Sequence, residues 1–182
     1  MAEKRISTPI SDKDIASLRS GDRVLLTGTI YTARDAAHKR LLLDIKKPPL
    51  KLSGQIIYYS GPTPAMPGRP IGSAGPTTSG RMDGFTQVML KAGIKGMIGK
   101  GGRSKEVRDL IKKFKAVYFV ATGGAGALLA KHIKSARVVA YPDLGPEAIH
   151  ELNVVDFPLI VADDIKGGDI FEQGIKKYRK KA

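Results

Sequence analysis

Gly96-Met97-Ile98-Gly99-Lys100-Gly101-Gly102-Arg103-Ser104 runs into Lys105-Glu106-Val107-Arg108-Asp109-Leu110-Ile111-Lys112-Lys113-Phe114 and then into Ala116-Val117-Tyr118-Phe119-Val120-Ala121. Read in that order it is a short apolar strand, a glycine turn, an amphipathic helix and a second strand. Val107, Leu110, Ile111 and Phe114 recur at helical spacing and give the middle segment one apolar face, with Ser104 placed to cap it. Ala116 to Ala121 is unbroken apolar sequence rich in β-formers, the pattern of a strand covered on both faces.

The alternation extends outward from there. Upstream, Met82 to Ala92 reads as a helix and Gln55 to Ser60 as a strand. A helical stretch from Thr32 to about Ile45 is stopped by Lys46-Lys47-Pro48-Pro49. Arg23 to Tyr31 reads as a strand, and Ile10 to Leu18 as a short helix capped by Ser11. Downstream, Gly126 to Ile133 is helical, Ala136 to Tyr141 and Phe157 to Ala162 are strands, and Phe171 to Tyr178 is a closing basic helix. Alternation of this kind predicts an α/β fold, a layered sheet with flanking helices, as one domain over residues 1–182. The early helix and the Arg23–Tyr31 strand are expected to join a second, mixed sheet. The Gly/Pro-rich stretch from Gly61 to Gly80 stands outside the alternation, and a loop of that length in a compact domain is usually functional.

Composition narrows the chemistry. The 182 residues include no cysteine, so disulfides, thiolate catalysis and thiolate-held zinc or iron–sulfur clusters are excluded within this chain. His38, His132 and His150 lie too far apart for a local metal motif and read as structural or surface residues. No apolar run approaches the ~20 residues needed to span a bilayer. Met1-Ala2-Glu3-Lys4-Arg5 lacks the apolar segment of a signal peptide, so a cytoplasmic protein is expected. The net charge of +14 fits a phosphate-rich partner, an acidic protein or a small anionic substrate, and fits equally a lysine-rich surface.

Chemistry concentrates in Gly72-Ser73-Ala74-Gly75-Pro76-Thr77-Thr78-Ser79-Gly80-Arg81-Met82-Asp83. Its glycines let backbone approach a ligand, its hydroxyls can cap the helix that follows, and Arg81 adds a planar fork suited to a carboxylate. The turn Gly99 to Ser104 suggests a phosphate loop, but Ile94 stands where that motif needs glycine and Gly101 where it needs Ser or Thr. An anion contact from Lys100 survives. Thr122-Gly123-Gly124-Ala125-Gly126-Ala127-Leu128-Leu129 fails the dinucleotide fingerprint at Leu129, which leaves close helix–sheet packing. Arg34 follows a strand directly, with Asp35 beside it as a possible orienting partner. The tail Lys176-Lys177-Tyr178-Arg179-Lys180-Lys181 could meet nucleic acid, but no nucleic-acid module accompanies it and that reading is a distant alternative.

Gly75-Pro76-Thr77-Thr78-Ser79-Gly80-Arg81-Met82-Asp83, with Thr32-Ala33-Arg34-Asp35-Ala36-Ala37-His38 before it and Gly99-Lys100-Gly101 after it, resembles the β region of class I fumarases and L-tartrate dehydratases, the iron–sulfur hydro-lyases. Gly61-Pro62-Thr63-Pro64 and Val155-Asp156-Phe157-Pro158 fit the same pattern, so the resemblance covers nearly the whole chain. It implies a swivelling β/β/α domain and, given the length and the initial Met1, a separate β subunit. The implied partner is an α subunit carrying the [4Fe–4S] cluster, in a heterodimer or α2β2 heterotetramer; the cluster's cysteines belong to that partner. The implied reaction is reversible loss of water from a small dicarboxylate, (S)-malate to fumarate, with L-tartrate as the alternative substrate. Arg34, Arg81 and Lys100 would hold the substrate carboxylates. Thr77 would be the proton-transfer hydroxyl, would orient substrate, or would only cap the helix. Asp83 would brace Arg81.

Overall fold

A computed structural model describes residues 3–180. Seven strands form one sheet: β1 (Lys4–Ser7), β2 (Arg23–Thr32), β3 (Ile56–Tyr58), β4 (Gly96–Gly99), β5 (Val117–Val120), β6 (Ile133–Ala140) and β7 (Ile149–Asp163). Six helices accompany them: α1 (Asp12–Ser17), α2 (Asp35–Leu43), α3 (Asp83–Lys91), α4 (Lys105–Phe114), α5 (Gly126–Ala130) and α6 (Ile170–Tyr178). Short 3-10 turns at Ser79–Met82 and Pro142–Glu147 complete the regular structure.

The strand order is β1-β2-β3-β4-β5-β7-β6, and β2 also pairs with β7. That extra pairing closes β2, β3, β4, β5 and β7 into a five-strand barrel, with β1 and β6 laid along its flanks. β1 through β5 run parallel to one another, and β7 returns antiparallel to β2, β5 and β6. The expectation of a second sheet therefore does not hold: Arg23–Thr32 belongs to the same sheet as everything else. The reason is length. β2 has 10 residues and β7 has 15, so each serves two neighbours in succession along one edge while pairing with the other along the opposite edge. β1 lines the first half of β2 at Val24–Thr27, and β3 takes over at Tyr31.

Period-2 alternation sorts the side chains into two cores. Ile56, Tyr58, Ile98, Val117 and Phe119 point into the barrel with Leu26, Ile30, Leu152, Val154 and Phe157. Ile57, Met97 and Tyr118 point outward, onto Ala37 and Leu41 of α2, Met89 and Leu90 of α3, and Val107 and Ile111 of α4. This is why β3 to β5 read as continuously apolar: both of their faces are covered.

The caps expected at Ser11 and Ser104 form, whereas the hydroxyls of the glycine-rich loop cap neither the 3-10 turn nor α3. Ser11 and Asp14 form a reciprocal capping box on α1, and the Ser104 hydroxyl accepts from the Val107 N–H on α4. Three strands differ from expectation. β1 was not anticipated, since Lys4-Arg5-Ile6-Ser7 offers one apolar residue. β7 begins at Ile149 rather than Phe157, because Asn153, Asp156 and Pro158 break the apolar pattern while the ladder to β2 continues past them. α5 ends at Ala130, and Ile133 already opens β6. Among the described residues no helix is long and apolar enough to cross a membrane.

Candidate active site

Where parallel strands end, backbone groups splay and leave a crevice, the usual place for a ligand in an α/β sheet. The C-terminal ends of β2, β3 and β4 meet here, and the glycine-rich loop is stitched between two of them. The Thr77 N–H donates to the Tyr59 carbonyl just past β3 (2.7 Å), and the Lys100 N–H just past β4 donates to the Thr77 carbonyl (3.1 Å). The Ser79 N–H then donates to the Lys100 carbonyl (2.9 Å). The loop thus acts as a miniature strand wedged between the diverging ends of β3 and β4, with Thr78 bridged to Lys100.

Gly99 makes this wedge possible. A Cβ there would lie 1.9 Å from Ser79 Oγ and 2.9 Å from the Tyr59 ring. Below the wedge the Tyr118 hydroxyl, fully buried, bonds Ser79 Oγ (2.8 Å) and donates to the Gly101 carbonyl (2.6 Å). Burial pushes that phenol well above its usual pKa, so it stays protonated as a donor.

Arg34 stands at the end of β2, its side chain laid against Gly61, where a Cβ would come within 2.9 Å of Nη1 and 3.1 Å of Cδ. Its guanidinium faces Glu147 at 3.6 Å and Asp35 at 4.0 Å, and its Nε is buried with no hydrogen-bond partner. Glu147 is fixed in turn by the Ala36 N–H at the start of α2 (2.9 Å). His38, buried, has Nδ1 2.8 Å from the Arg34 carbonyl and stacks on Phe85. Burial, with the nearby Arg103 charge, drives its pKa down to about 4, so the ring is a neutral brace.

Arg81 sits in the 3-10 turn, half exposed. Asp35 receives it through two oxygens, Nε at 3.2 Å and Nη2 in the closer contact. Burial raises the Asp35 pKa, but the Arg81 bond and the Arg81 and Arg34 charges more than offset it, and the group stays ionised. Lys100 is exposed and makes no ion pair among the described residues; its stem passes over Gly123 (3.5 Å from where a Cβ would be). The Thr77 hydroxyl, partly exposed, has no hydrogen-bond partner among the described residues. It caps nothing, since Thr78 precedes the 3-10 turn and that turn has no side-chain cap.

All four residues singled out in the sequence therefore lie at one end of the barrel. Contacts link them in two pairs: Asp35 lies between Arg34 and Arg81, and the Thr77 carbonyl accepts from the Lys100 N–H. One brace was misassigned. Asp83 does not touch Arg81; it accepts from Arg103 Nε (2.7 Å) and the Ser104 N–H (2.9 Å). The brace of Arg81 is Asp35, which also lies 4.0 Å from Arg34, the partner the sequence suggests for it. Residues two apart at a helix start point in different directions, whereas α2 brings Asp35 up from a distant segment. Glu147 and Arg103 carried no sequence signal for their roles.

No set of three His, Cys, Asp or Glu side chains among the described residues could hold a metal ion. The assembled chemistry is cationic and hydroxylic: two held guanidiniums, an ammonium and a hydroxyl that have no side-chain partner among the described residues, groups whose chemistry suits an anion.

Residues 2–174 match the family model described as Fumarase C-terminus, and the chain belongs to that family. It is 43% identical over 160 residues to the anaerobic class I fumarate hydratase of Escherichia coli, covering 85% of this chain and 29% of that protein. A Methanocaldococcus jannaschii protein provisionally named L(+)-tartrate dehydratase subunit beta is 41% identical over 181 residues, 94% of this chain and 93% of the relative. The L(+)-tartrate dehydratase subunit beta of Escherichia coli is 35% identical over 182 residues, with 97% and 90% covered. The chain thus spans about three-tenths of the length of the fumarate hydratase and nearly all of the two tartrate dehydratase subunits.

Proposed function

We propose that this chain is the β part of an iron–sulfur hydro-lyase that reversibly removes water from a hydroxy-dicarboxylate, with (S)-malate and fumarate as the leading pair. The observation that carries this reading is the stitched loop: among the described residues it leaves the Thr77 hydroxyl and the Lys100 ammonium without a side-chain partner, at the same barrel end as Arg34 and Arg81. In this reading residues 1–182 act as one β-type domain of the swivelling β/β/α kind, in the cytoplasm.

Lys100 would take one substrate carboxylate as a point charge. Arg81 spends two of its five N–H donors on Asp35 and keeps the others for a second carboxylate. Arg34, held beside Glu147 and Asp35, adds charge to the same crevice. Removing a proton from the carbon next to a carboxylate builds negative charge on that carboxylate, and cations already held in place stabilise it without reorganising. Thr77 Oγ1, having given its own proton to solvent and with its anionic form favoured by the surrounding cations, would accept that proton.

The chain's own residues do not fit an iron–sulfur cluster: it has no cysteine. The reading therefore gives the cluster, and departure of the hydroxyl, to an α partner in a heterodimer or α2β2 heterotetramer, with the active site at the interface. L-tartrate is the second reading, supported by the two relatives named as tartrate dehydratase beta subunits, which align over 93% and 90% of their lengths. Co-expression with the α partner and anaerobic assay with malate, fumarate and tartrate decides between them. Hydration of fumarate without action on tartrate supports the first reading, the converse supports the second, and turnover of none overturns both.

A further inference from the structure

Among the described residues Arg103 is the one buried cation that the proposed reaction leaves unused; its side chain is 0% exposed. Every part of its fork is engaged. Nε donates to Asp83 Oδ1 (2.7 Å), Nη2 to Thr86 Oγ1 (2.6 Å) and Nη1 to the Tyr59 hydroxyl (3.4 Å). Its Cζ lies 5.0 Å from the Tyr118 ring centroid and 5.5 Å from that of Tyr59. Asp83 answers with its second oxygen, which accepts the Ser104 N–H (2.9 Å).

Burying an ion pair is a weak route to stability, because desolvation cancels most of the attraction and apolar replacements often do as well. What such a pair does provide is a fixed geometry. Asp83 lies two residues beyond Arg81 at the start of α3; Arg103 lies three residues beyond Lys100 in the turn before α4. The two rings around the guanidinium are those that hold the wedge, Tyr59 through its carbonyl to Thr77 and Tyr118 through its hydroxyl to Ser79 and Gly101.

We infer that Arg103 is a positioning residue: clamped to Asp83, it sets the separation between the Arg81 turn and the Lys100 turn, and so the length of dicarboxylate that can bridge the two cations. The part concerning substrate length rests on the proposed function; the clamp itself does not. A lysine in its place keeps the charge but loses the planar fork, so it cannot span Asp83 and Thr86 together.

The test uses Arg103→Met and Arg103→Lys in the full chain and in the complex with the α partner. Amide hydrogen exchange is read first. Protection at the Ser79 and Lys100 N–H groups is expected to fall about tenfold or more in Arg103→Met, as for loss of a hydrogen bond to a charged group. It should fall less in Arg103→Lys, and amides of β5 and β7 should be unchanged. Unchanged protection at the two turns, or equal loss throughout the barrel, overturns the clamp. Inhibition of the complex by malonate, succinate and glutarate is read next. Wild type should prefer one chain length; Arg103→Met should flatten that preference and lower kcat/KM about 10²-fold, chiefly through KM. A preference retained in the variant overturns the length-setting role. A wild type that binds none of the three refutes the proposed function, while hydrogen exchange still judges the clamp. If Arg103→Met does not fold, Thr86→Val removes the Nη2 acceptor together with that hydroxyl's own bond to the Met82 carbonyl (2.9 Å), and Thr86→Ser, which keeps both, is its control in the same two readouts.

Discussion

Arg81 and Lys100 differ in how far their charge is already committed, and that difference predicts how substitutions behave. Arg81 is shared with Asp35 across a half-exposed ion pair, the kind that contributes about 0–1 kcal/mol to stability. Arg81→Ala is therefore expected to leave folding and assembly intact while abolishing turnover of the reconstituted complex; near-normal activity would sink the site assignment. Asp35→Asn should be milder, since Arg81 keeps its charge but loses its orientation, and steady-state kinetics should show KM rising more than kcat falls. The proposal of a carboxylate site at these residues comes only through resemblance, because an arginine after a strand or a lysine in a glycine turn has many ordinary explanations. Their braces were not legible at all. Asp83 is the nearer carboxylate in sequence, yet Asp35, on a different element, reaches Arg81.

At the scale of elements, the wedge between β3 and β4 decides the site. It depends on Gly99, where any side chain would collide with Ser79 and Tyr59. Gly99→Ala is expected to cost about 1–3 kcal/mol by overpacking and to displace the loop. Thermal melts should register the first effect; loss of turnover in a complex that still assembles should register the second. The strand–helix–strand alternation from Gly96 to Ala121 was readable because strong apolar runs and an amphipathic helix need no tertiary information. The wedge was not, since Thr77 to Ser79 carries no strand pattern and pairs only because two parallel strands diverge on either side of it.

Across the whole molecule, two buried titratable groups oppose each other. Asp163, 2% exposed with both oxygens unpartnered, is pushed up to about 7 by burial and the Asp169 charge, with Arg103 and Arg108 opposing in part. Its folded form holds a proton that the unfolded chain releases near pH 3.8, so its contribution is full below that pH and is lost as pH rises through about 7. His38 runs the other way: its pKa falls from 6.5 to about 4, so its contribution is present above 6.5 and lost as pH falls through about 4. The two slopes offset each other between those limits. Asp163→Asn should raise stability by about 1–3 kcal/mol at pH 8, because it removes the charge that the buried carboxyl carries there beside Asp169, with little change at pH 4, where both side chains are neutral. It should also uncover the rise between pH 4 and 6.5 due to His38, as read by denaturant unfolding across pH. A variant as stable as wild type at pH 8 would refute the assignment of Asp163.

The amino-acid sequence alone determined that helices and strands alternate, that this chain has no thiolate to hold a metal cluster, and, through resemblance, which four side chains to watch. Those properties are local: periodicity, composition and motif survive without knowing what packs against what. Closure of the barrel by β2 and β7, the pairing of Asp35 with Arg81, and the clamp of Arg103 on Asp83 were decided only by tertiary structure. Each joins groups from distant segments or different elements, and such pairings leave no mark on local pattern because burial and hydrogen-bond geometry, rather than sequence spacing, select them.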